Sequence, residues 1–354
     1  MVKIHTLRTW IEIDKKALRH NVGEFFRLIS RPTRLMAVIK SNAYGHGLGA
    51  IAQELVNTQL FGQKQWFGVD SIVEALRLRR EGIINQILVL GFTLPARMEE
   101  AAQHDISISI SNFDALDSIS NISKRPAIHL KFDTGMHRQG FLKKDISHLI
   151  SILKKKHITP KGMFTHFASA KDPLYPTYTL AQLAEFHEAV GRMKQAGFSS
   201  LIQHASATGG TLIFPDAHYD MVRVGMGLYG YWPSQELKLT YNMSTLTSLK
   251  KQRKKIALYP VLTWKTIVAE VKQIPKGSYV GYDLTEETYR KTMIAVLPIG
   301  YWHGYDRGLS SISNVLVRNC RARVLGRISM DMLVIDITDI AGVRTGDEVV
   351  IIGN

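Results

Sequence analysis

The segment AVIKSNAYGHG, residues 37–47, joins an apolar run to a loop rich in asparagine, glycine and histidine. The run from Leu35 to Ile39 is typical of a short buried strand, and the residues after it are turn formers. The predicted strand therefore ends in a single lysine, Lys40. This is an unusual place for a charge, because ammonium groups are rarely buried unless they are paired or take part in chemistry.

Two interpretations of Lys40 follow from these residues alone. A partly desolvated amine gives up its proton more easily and becomes the nucleophile that a Schiff base requires. Alternatively, the lysine stem covers apolar surface at the strand end and its amine reaches solvent. The remainder of the chain has to distinguish the two.

From about residue 10 to residue 230, short apolar segments alternate with longer amphipathic ones, which is the pattern of strands followed by helices. Eight strands separated by helix-length segments match a (β/α)8 TIM-type barrel better than an open doubly wound sheet, which usually has fewer strands. The predicted strands are Leu35–Lys40, Trp66–Val69, Ile87–Leu90, Ile106–Ile110, Ala127–Phe132, Lys161–His166, Leu201–His204 and Met221–Val224. The predicted helices include Leu48–Leu55, Ser71–Arg80, Ala96–Gln103 and Thr179–Ala196.

The pattern changes near Tyr241. Residues 241–255 are polar and basic, which indicates a crossing between domains. The segments that follow are β-branched and alternating, as in a small all-β domain. They are Val261–Val271, Thr292–Leu297, Val315–Val317, Arg323–Val324, Met332–Ile337 and Glu348–Ile352. We therefore predict an α/β chain with an N-terminal barrel, residues 1–245, and a smaller, mostly β domain, residues 246–354. Packing of about the first 10 residues on the β domain is compatible with this division.

Composition narrows the function classes. The formal net charge is +15, part of it in the runs 154–156 and 250–255. These runs lack interleaved aromatic residues, so solvated surface explains them better than nucleic-acid binding. The single cysteine, Cys320, excludes an internal disulfide and a CxxC metal site. Residues 1–10 have no apolar signal region, and no apolar run approaches the length of a membrane span, so we expect a cytoplasmic protein without a membrane partner.

Barrel enzymes carry their chemistry at the carboxyl ends of their strands. The predicted strand ends here are unusually polar: they hold Lys40, Lys131, residues 133–138, Thr165 and His166, residues 204–210, and residues 223–227. Glycine-rich backbone after the last two strands is where this fold often binds phosphate, because N–H groups converge there. A lysine together with a phosphate cradle indicates pyridoxal phosphate.

Each of these features also has a structural explanation. Residues 208–210 and 133–135 are ordinary turn sequences. His166 could be a hydrogen-bonded core histidine, and Arg223 could pair with a structural carboxylate. Their joint placement at one end of one barrel favours chemistry.

Six motifs, in order and in both predicted domains, resemble alanine racemase, a fold-type III pyridoxal-phosphate enzyme. They are AVIKSNAYGHG at 37–47, DTGMHR at 133–138, THFA at 165–168, VRVG at 222–225, IGY at 299–301 and GRISMDM at 326–332. The similarity extends from about Trp10 to Asn354.

The resemblance implies that Lys40 forms a Schiff base with pyridoxal 5'-phosphate and acts as one acid/base catalyst. Tyr301, contributed by the partner subunit of a homodimer with shared sites, is the implied second base. Inversion at Cα needs bases on opposite faces of a planar carbanion. His166 and Arg223 are the implied supporting residues, bonded in series to that tyrosine and to the pyridine nitrogen. An arginine there leaves the nitrogen unprotonated and favours racemisation.

By the same resemblance, phosphate contacts fall to Tyr44, Thr208, Gly225 and Met226, and contacts near the substrate carboxylate to Arg138, Met330 and Asp331. Lys131 matches a lysine that is carboxylated in some family members, and no metal is implied. The family continues beyond residue 354 with a tail that carries another phosphate-binding tyrosine. Either the given sequence stops short of that tail or this member lacks it, and we expect weaker cofactor binding only if the chain truly ends at Asn354.

The implied function is interconversion of L-alanine and D-alanine, which supplies D-alanine for peptidoglycan. A serine, lysine or broad-specificity racemase of the same family is an alternative, because pocket differences of one hydroxyl or methylene change discrimination by only about 1–3 kcal/mol. A non-catalytic pyridoxal-phosphate carrier is another, although a β domain and Tyr301 speak against it.

Overall fold

The computed structural model describes residues 6–172, 174–244 and 255–353. It divides the chain into two compact units. One is Lys15–Tyr259, and the other combines Met1–Asp14 with Pro260–Asn354. The predicted boundary after residue 245 stays a prediction, because it falls among residues 245–254, outside the described part, as does most of the basic run 250–255.

The strands are numbered along the chain. They are β1 (Thr9–Ile13), β2 (Arg34–Val38), β3 (Trp66–Val69), β4 (Gln86–Val89), β5 (Ile106–Ile110), β6 (Ile128–Lys131), β7 (Gly162–Phe164), β8 (Ile202–His204), β9 (Met221–Val224), β10 (Leu262–Ile267), β11 (Glu270–Ile274), β12 (Thr292–Leu297), β13 (Asn314–Val317), β14 (Cys320–Leu325), β15 (Leu333–Asp336) and β16 (Glu348–Ile352).

The helices are α1 (Lys15–Leu28), the left-handed turn α2 (Lys40–Tyr44), α3 (Leu48–Val56), α4 (Ile72–Arg80), α5 (Met98–Gln103), α6 (Phe113–Ser120), α7 (Ile146–Lys155), α8 (Thr177–Gln195), α9 (Thr208–Ile213) and α10 (Gln235–Ser244). Short 3-10 helices are Pro95–Arg97, Lys143–Asp145, Pro215–Ala217, Met226–Tyr229, Tyr282–Leu284, Tyr301–His303 and Arg307–Leu309. No helix in the described ranges is long and apolar enough to cross a membrane.

The unit Lys15–Tyr259 is a parallel barrel. Its strands run in the order β8-β7-β6-β5-β4-β3-β2-β9, so that β9 returns beside β2. Between β8 and β9 the seam is closed by single hydrogen bonds rather than a ladder: the Asp220 N–H donates to the Gln203 carbonyl at 3.1 Å, and the Arg223 N–H donates to the Ser206 carbonyl at 2.9 Å. The predicted fold class is confirmed.

Local sequence explains why these elements form. Every residue of β5 is buried, as expected for a parallel strand covered on both faces. Side-chain caps begin two of the helices: Ser71 accepts the Glu74 N–H ahead of α4, and Asn112 accepts the Ala115 N–H at 2.8 Å ahead of α6. The predicted barrel strands are all present, but β2 ends at Val38, so Lys40 begins the following turn.

The second unit is an antiparallel sheet in the order β1-β10-β16-β13-β14-β15-β12-β11. Its core holds buried aliphatic side chains from several strands, including Ala295, Val324 and Ile335. Strand β1, near the N-terminus, pairs with β10 and so forms one edge of this sheet.

One predicted segment of this unit, Val261–Val271, is two strands rather than one. The break falls at Val268, whose N–H donates to the Asp347 carbonyl at 2.9 Å, whereas the next N–H, of Ala269, donates to the Val296 carbonyl at 2.8 Å. The chain changes partners there, so β10 pairs with β1 and β16, and β11 pairs with β12. Continuous β-branched sequence does not reveal such a change.

Candidate active site

The carboxyl ends of the barrel strands surround a cavity of about 780 Å3. This volume lies within the range of small-molecule sites, roughly 300–1,000 Å3. The cavity is lined by every site residue that the sequence placed in the barrel, namely Lys40, Tyr44, Lys131, Arg138, His166, Thr208, Arg223, Gly225 and Met226. Their individual roles stay predictions.

The Lys40 amine lies 3.6 Å from the Asp70 carboxylate, and the two side chains are 40% and 57% exposed. Lys40 is therefore less desolvated than its place after a buried strand indicated. Asp70 is a cavity residue that sequence reasoning missed. It directly follows β3, so the rule applied to the other strand ends, which selected polar residues after each strand, would have found it.

The turn after Lys40 is left-handed. Residues 41–44, none of them glycine, have φ between 53° and 55°. L-residues avoid this region because Cβ approaches the following carbonyl, which costs roughly 1–2 kcal/mol per residue. Strain of this kind persists only where the surroundings hold it, and it is concentrated at functional sites.

Two side chains hold the left-handed turn in place. The Asn42 side-chain carbonyl accepts the Leu48 N–H at 2.9 Å. The ring of His46 is buried, and its Nδ1 lies 3.0 Å from the Ala43 carbonyl and 3.1 Å from the Tyr44 carbonyl. Because both neighbours are acceptors, this nitrogen carries the proton.

The turn places the Tyr44 hydroxyl close to the backbone of Gly225. A Cβ on Gly225 would lie 2.6 Å from that hydroxyl oxygen, so a larger residue would have to displace the Tyr44 side chain. The Gly225 N–H donates to the Thr208 hydroxyl at 3.2 Å, and Thr208 begins α9, whose first N–H groups have no partner within the helix. Burial raises the pKa of Tyr44, so its phenol stays a neutral donor. Donors for an anion meet here.

Arg223 is buried and donates four of its five N–H groups within the barrel. Its Nη1 donates to Nδ1 and to the carbonyl of His204, at 2.9 and 3.0 Å. Its Nη2 donates to the carbonyls of Thr165 and Ala205, at 2.7 and 2.8 Å, and to His166 Nδ1 at 3.2 Å. Within the described ranges, nothing accepts the Nε hydrogen. Among the described residues, no carboxylate pairs with this arginine, contrary to the structural alternative.

His166 is a neutral imidazole with a defined tautomer. Burial, together with the charges of Arg223 and Arg138, lowers its pKa to about 3. Its Nδ1 accepts from Arg223, so the single ring proton sits on Nε2. His166 also lines the cavity, so it is not enclosed by the core alone.

Lys131 and Arg138 are two cations on one wall of the cavity. Burial and the charges of Arg138 and Arg223 lower the pKa of Lys131 to about 8, and its amine bonds the Gln139 side chain at 3.3 Å. The loop that carries Arg138 is held by Asp133, whose carboxylate accepts the backbone N–H groups of Gly135, His137 and Arg138, at 3.0, 2.9 and 3.0 Å.

The β unit brings the other predicted residues together by itself. The Tyr301 N–H donates to the Ser329 carbonyl at 3.1 Å, and the Trp302 N–H donates to the Met330 carbonyl at 3.0 Å. A Cβ on Gly300 would collide with the Ser329 carbonyl, so a glycine is needed for this approach. Tyr301 is 45% exposed and Met330 is 48% exposed, and Asp331 follows directly.

A second exposed tyrosine of the β unit, Tyr282, lies between two residues that approach Arg327. The carboxylate beside it, of Asp283, pairs with Arg327 at 2.6 Å. Asp283 and Leu284 have φ of 63° and 53°, which is strained for residues other than glycine. Tyr282 is 61% exposed. The sequence analysis did not select Tyr282. The available signal was its position between a glycine and an aspartate, which are turn-forming residues.

Two family profiles match the chain: the N-terminal domain of alanine racemase over residues 13–233 and its C-terminal domain over residues 261–354. An alanine racemase of Leptospira interrogans is 37% identical over 350 residues, which cover 98% of this chain and 87% of that protein. Alanine racemase 1 of Oceanobacillus iheyensis is 35% identical, with 97% and 88% covered.

Solved structures give the same result. The alanine racemase of Clostridium difficile 630 superposes with a TM-score of 0.89 at 30% identity, covering 99% of this chain and 88% of that one. The alanine racemase of Bacillus anthracis, solved with bound L-Ala-P, superposes with a TM-score of 0.87 at 30% identity, covering 98% and 86%.

The strain in the left-handed turn predicts an unusual response to glycine. Ser41→Gly should raise the free energy of unfolding by up to about 1 kcal/mol, because glycine adopts positive φ without a Cβ clash. Ser151→Gly, at an exposed position inside α7, should lower it by roughly 0.5–1 kcal/mol. Urea unfolding of both variants checks this, and equal losses in the two would show that the turn is unstrained.

Proposed function

The chain belongs to the alanine racemase family, and we propose that it interconverts L-alanine and D-alanine with pyridoxal 5'-phosphate as its cofactor. The observation that carries this proposal is Arg223, a buried guanidinium that lines the same cavity as Lys40 and keeps its Nε hydrogen free of any partner among the described residues. A fixed donor and a primary amine in one cavity suit the ring nitrogen and the aldehyde of this cofactor.

The other residues of the cavity fit the same group. Tyr44 and Thr208 offer hydroxyl donors for its phosphate, and the Thr208 hydroxyl is oriented by accepting the Gly225 N–H. The cavity also contains several positive charges. Burial, and next the neighbouring guanidinium of Arg138, lower the pKa of the Lys131 amine to about 8. An anionic phosphate and a substrate carboxylate would offset this repulsion.

When bound, the cofactor supplies an electron sink for negative charge at the substrate Cα. Arg223 tunes that sink. Burial lowers the pKa of this guanidinium to about 9, which is still above neutrality, so Arg223 donates a hydrogen bond without giving up its proton. With the cofactor bound, Arg223 would leave the ring nitrogen unprotonated, which would weaken the sink and favour return of a proton to Cα over transamination.

Racemisation needs a base on each face of the substrate. Lys40 is the proposed base on one face. For the other face the resemblance assigns Tyr301, and the strained backbone after Tyr282 supports that residue as a second candidate. Tyr301 bonds the 326–331 segment directly, and Asp283, the residue after Tyr282, pairs with Arg327 in that segment. The segment carries Met330 and Asp331 as proposed substrate neighbours.

We propose that the tyrosine comes from the partner subunit of a homodimer. The β unit exposes several large apolar and aromatic side chains, and apolar exposure of this kind marks protein interfaces. They include Tyr279, Tyr289, Trp302, Ile312 and Met332, between 53% and 83% exposed. In a shared site each barrel supplies Lys40, and its partner supplies the second base.

Arg138 is the proposed partner of the substrate carboxylate, since a guanidinium binds such a group with two parallel hydrogen bonds. Carboxylation of Lys131 is a related proposal. Its pKa of about 8 leaves a neutral fraction near physiological pH, and a neutral amine adds to carbon dioxide with release of a proton. The resulting carbamate would turn the repulsion from Arg138 into attraction.

D-Alanine is a building block of peptidoglycan, and we propose that this enzyme supplies it in the cytoplasm. The exposed, unpaired Cys320 is compatible with a reducing compartment.

Purified protein with pyridoxal phosphate should convert enantiopure L-alanine into a mixture of both enantiomers. L-Serine and L-lysine, tested separately, report on the family alternatives, and chiral chromatography resolves the products. D-Enantiomer from serine or lysine but not from alanine would replace the proposed substrate. No D-enantiomer from any of the three, with the cofactor bound, would favour a carrier and sink the racemase proposal.

The second base is identified by two matched variants, Tyr301→Phe and Tyr282→Phe. The variant that lacks the base should lose roughly 10²- to 10⁴-fold in kcat, because a positioned general base contributes about that much. It should still bind the cofactor through Lys40, as judged by its absorption spectrum. If both variants keep full activity, the second base does not come from either tyrosine.

Shared sites predict complementation between inactive chains. Lys40→Ala and the inactive tyrosine variant, unfolded and refolded together, should form mixed dimers in which one of the two sites has both bases intact. Racemisation should then return, whereas each variant refolded alone stays inactive. Absence of recovery in mixed dimers, isolated with two different affinity tags, would show that each site is built from a single chain.

A further inference from the structure

A line of three buried side chains runs from the cavity into the barrel interior. Arg223 on β9 contacts His204 on β8, and His204 Nε2 lies 2.9 Å from Nδ1 of His129 on β6. Both histidines are fully buried. His129 is one that sequence reasoning missed, because it lies inside a strand and not after its end.

The hydrogen bonds of this line are compatible with one arrangement of its protons. A guanidinium only donates, so His204 Nδ1, at 2.9 Å from Nη1, must be unprotonated. Burial and the charge of Arg223 lower the pKa of His204 well below its usual value, so the ring is neutral and its proton sits on Nε2. That proton is donated to His129 Nδ1, which leaves the proton of His129 on its own Nε2.

The line ends on an unpaired donor. His129 Nε2 is buried and has no hydrogen-bond partner in the described part of the chain. Its ring lies edge-on to Trp66, with centroids 5.2 Å apart. An unpaired buried N–H is unfavourable, and an apolar side chain at this position would avoid it. Packing alone therefore does not explain a histidine here.

We propose that His129 is a positioning residue for Arg223: by accepting the Nε2 proton of His204, it holds His204 in the tautomer whose Nδ1 receives the arginine. In the opposite tautomer, His204 would present an N–H to the Arg223 N–H, and two donors would face each other. The Arg223 guanidinium would then rotate. Its Nε hydrogen, which has no acceptor among the described residues, would lose its fixed direction. Second partners of this kind commonly set the tautomer of a functional histidine.

The consequence for catalysis rests on the proposed function, whereas the tautomer does not. The decisive measurement is therefore made without cofactor: nitrogen NMR of protein labelled with 15N-histidine distinguishes Nδ1–H from Nε2–H for each ring. Wild-type His204 should carry its proton on Nε2 throughout the pH range in which the protein is folded. An Nδ1–H or doubly protonated His204 in the wild type would overturn the proposal by itself.

Two nearly isosteric variants separate positioning from packing. In His129→Asn the side-chain carbonyl can accept the His204 proton, so the tautomer and most of the activity should be retained. In His129→Leu no acceptor remains, so Nδ1–H signal should appear for His204, and kcat should fall by roughly 10- to 100-fold with little change in KM. Equal tautomers in the two variants would refute the inference, as would equal kcat values in the racemase.

His218→Leu is the matched control. It removes another buried histidine, whose Nε2 bonds the Thr211 carbonyl at 2.9 Å, without touching Arg223. It should leave the His204 signals unchanged. If the leucine variant at position 129 does not fold, the wild-type and asparagine spectra still decide the tautomer. A correct tautomer in a protein without racemase activity would count against the proposed function alone.

Discussion

The arrangement of the site depends on the hydrogen bonds of one side chain, Arg223. The barrel has no backbone ladder between β8 and β9, and this guanidinium crosses the gap, bonding carbonyl groups at His204, Ala205 and Thr165. These contacts add to the two backbone hydrogen bonds across the seam, and they hold a cation in the wall of the cavity. The fold and the site therefore depend on the same hydrogen bonds. Burial of the guanidinium lowers the pKa of Arg223 but leaves it above neutrality.

Much of the fold could be predicted because it follows from local patterns. The eight barrel strands alternate with amphipathic helices, and a strand buried on both faces needs a continuous apolar run, which is visible in the letters. The polar residues after the strands, such as Lys40 and Arg223, converge because parallel strands direct their carboxyl ends to one side. The barrel part of the candidate site was accessible by the same rule.

The rest depends on contacts that sequence does not display. Strand β1 is stabilised by β10, far along the chain, and the break at Val268 reflects a change of partner strand. The left-handed turn of residues 41–44 consists of residues that normally avoid it, so propensity argues against it. The role of His129 could not be predicted for another reason. It depends on which ring nitrogen carries the proton, and this is related to an arginine on a different strand.

The pairing of β1 with β10 also determines the order in which the protein can be completed. Thr9 donates its side-chain hydroxyl proton to the carbonyl of Lys265, 256 residues further along, so the barrel sequence is an insertion within the β unit. During synthesis the barrel sequence is complete before β10 has been made. Until then β1 has no strand to pair with. A single cut in the chain cannot separate the two units intact, and a fragment that starts at Pro260 would leave one edge of β10 open to pairing with other chains.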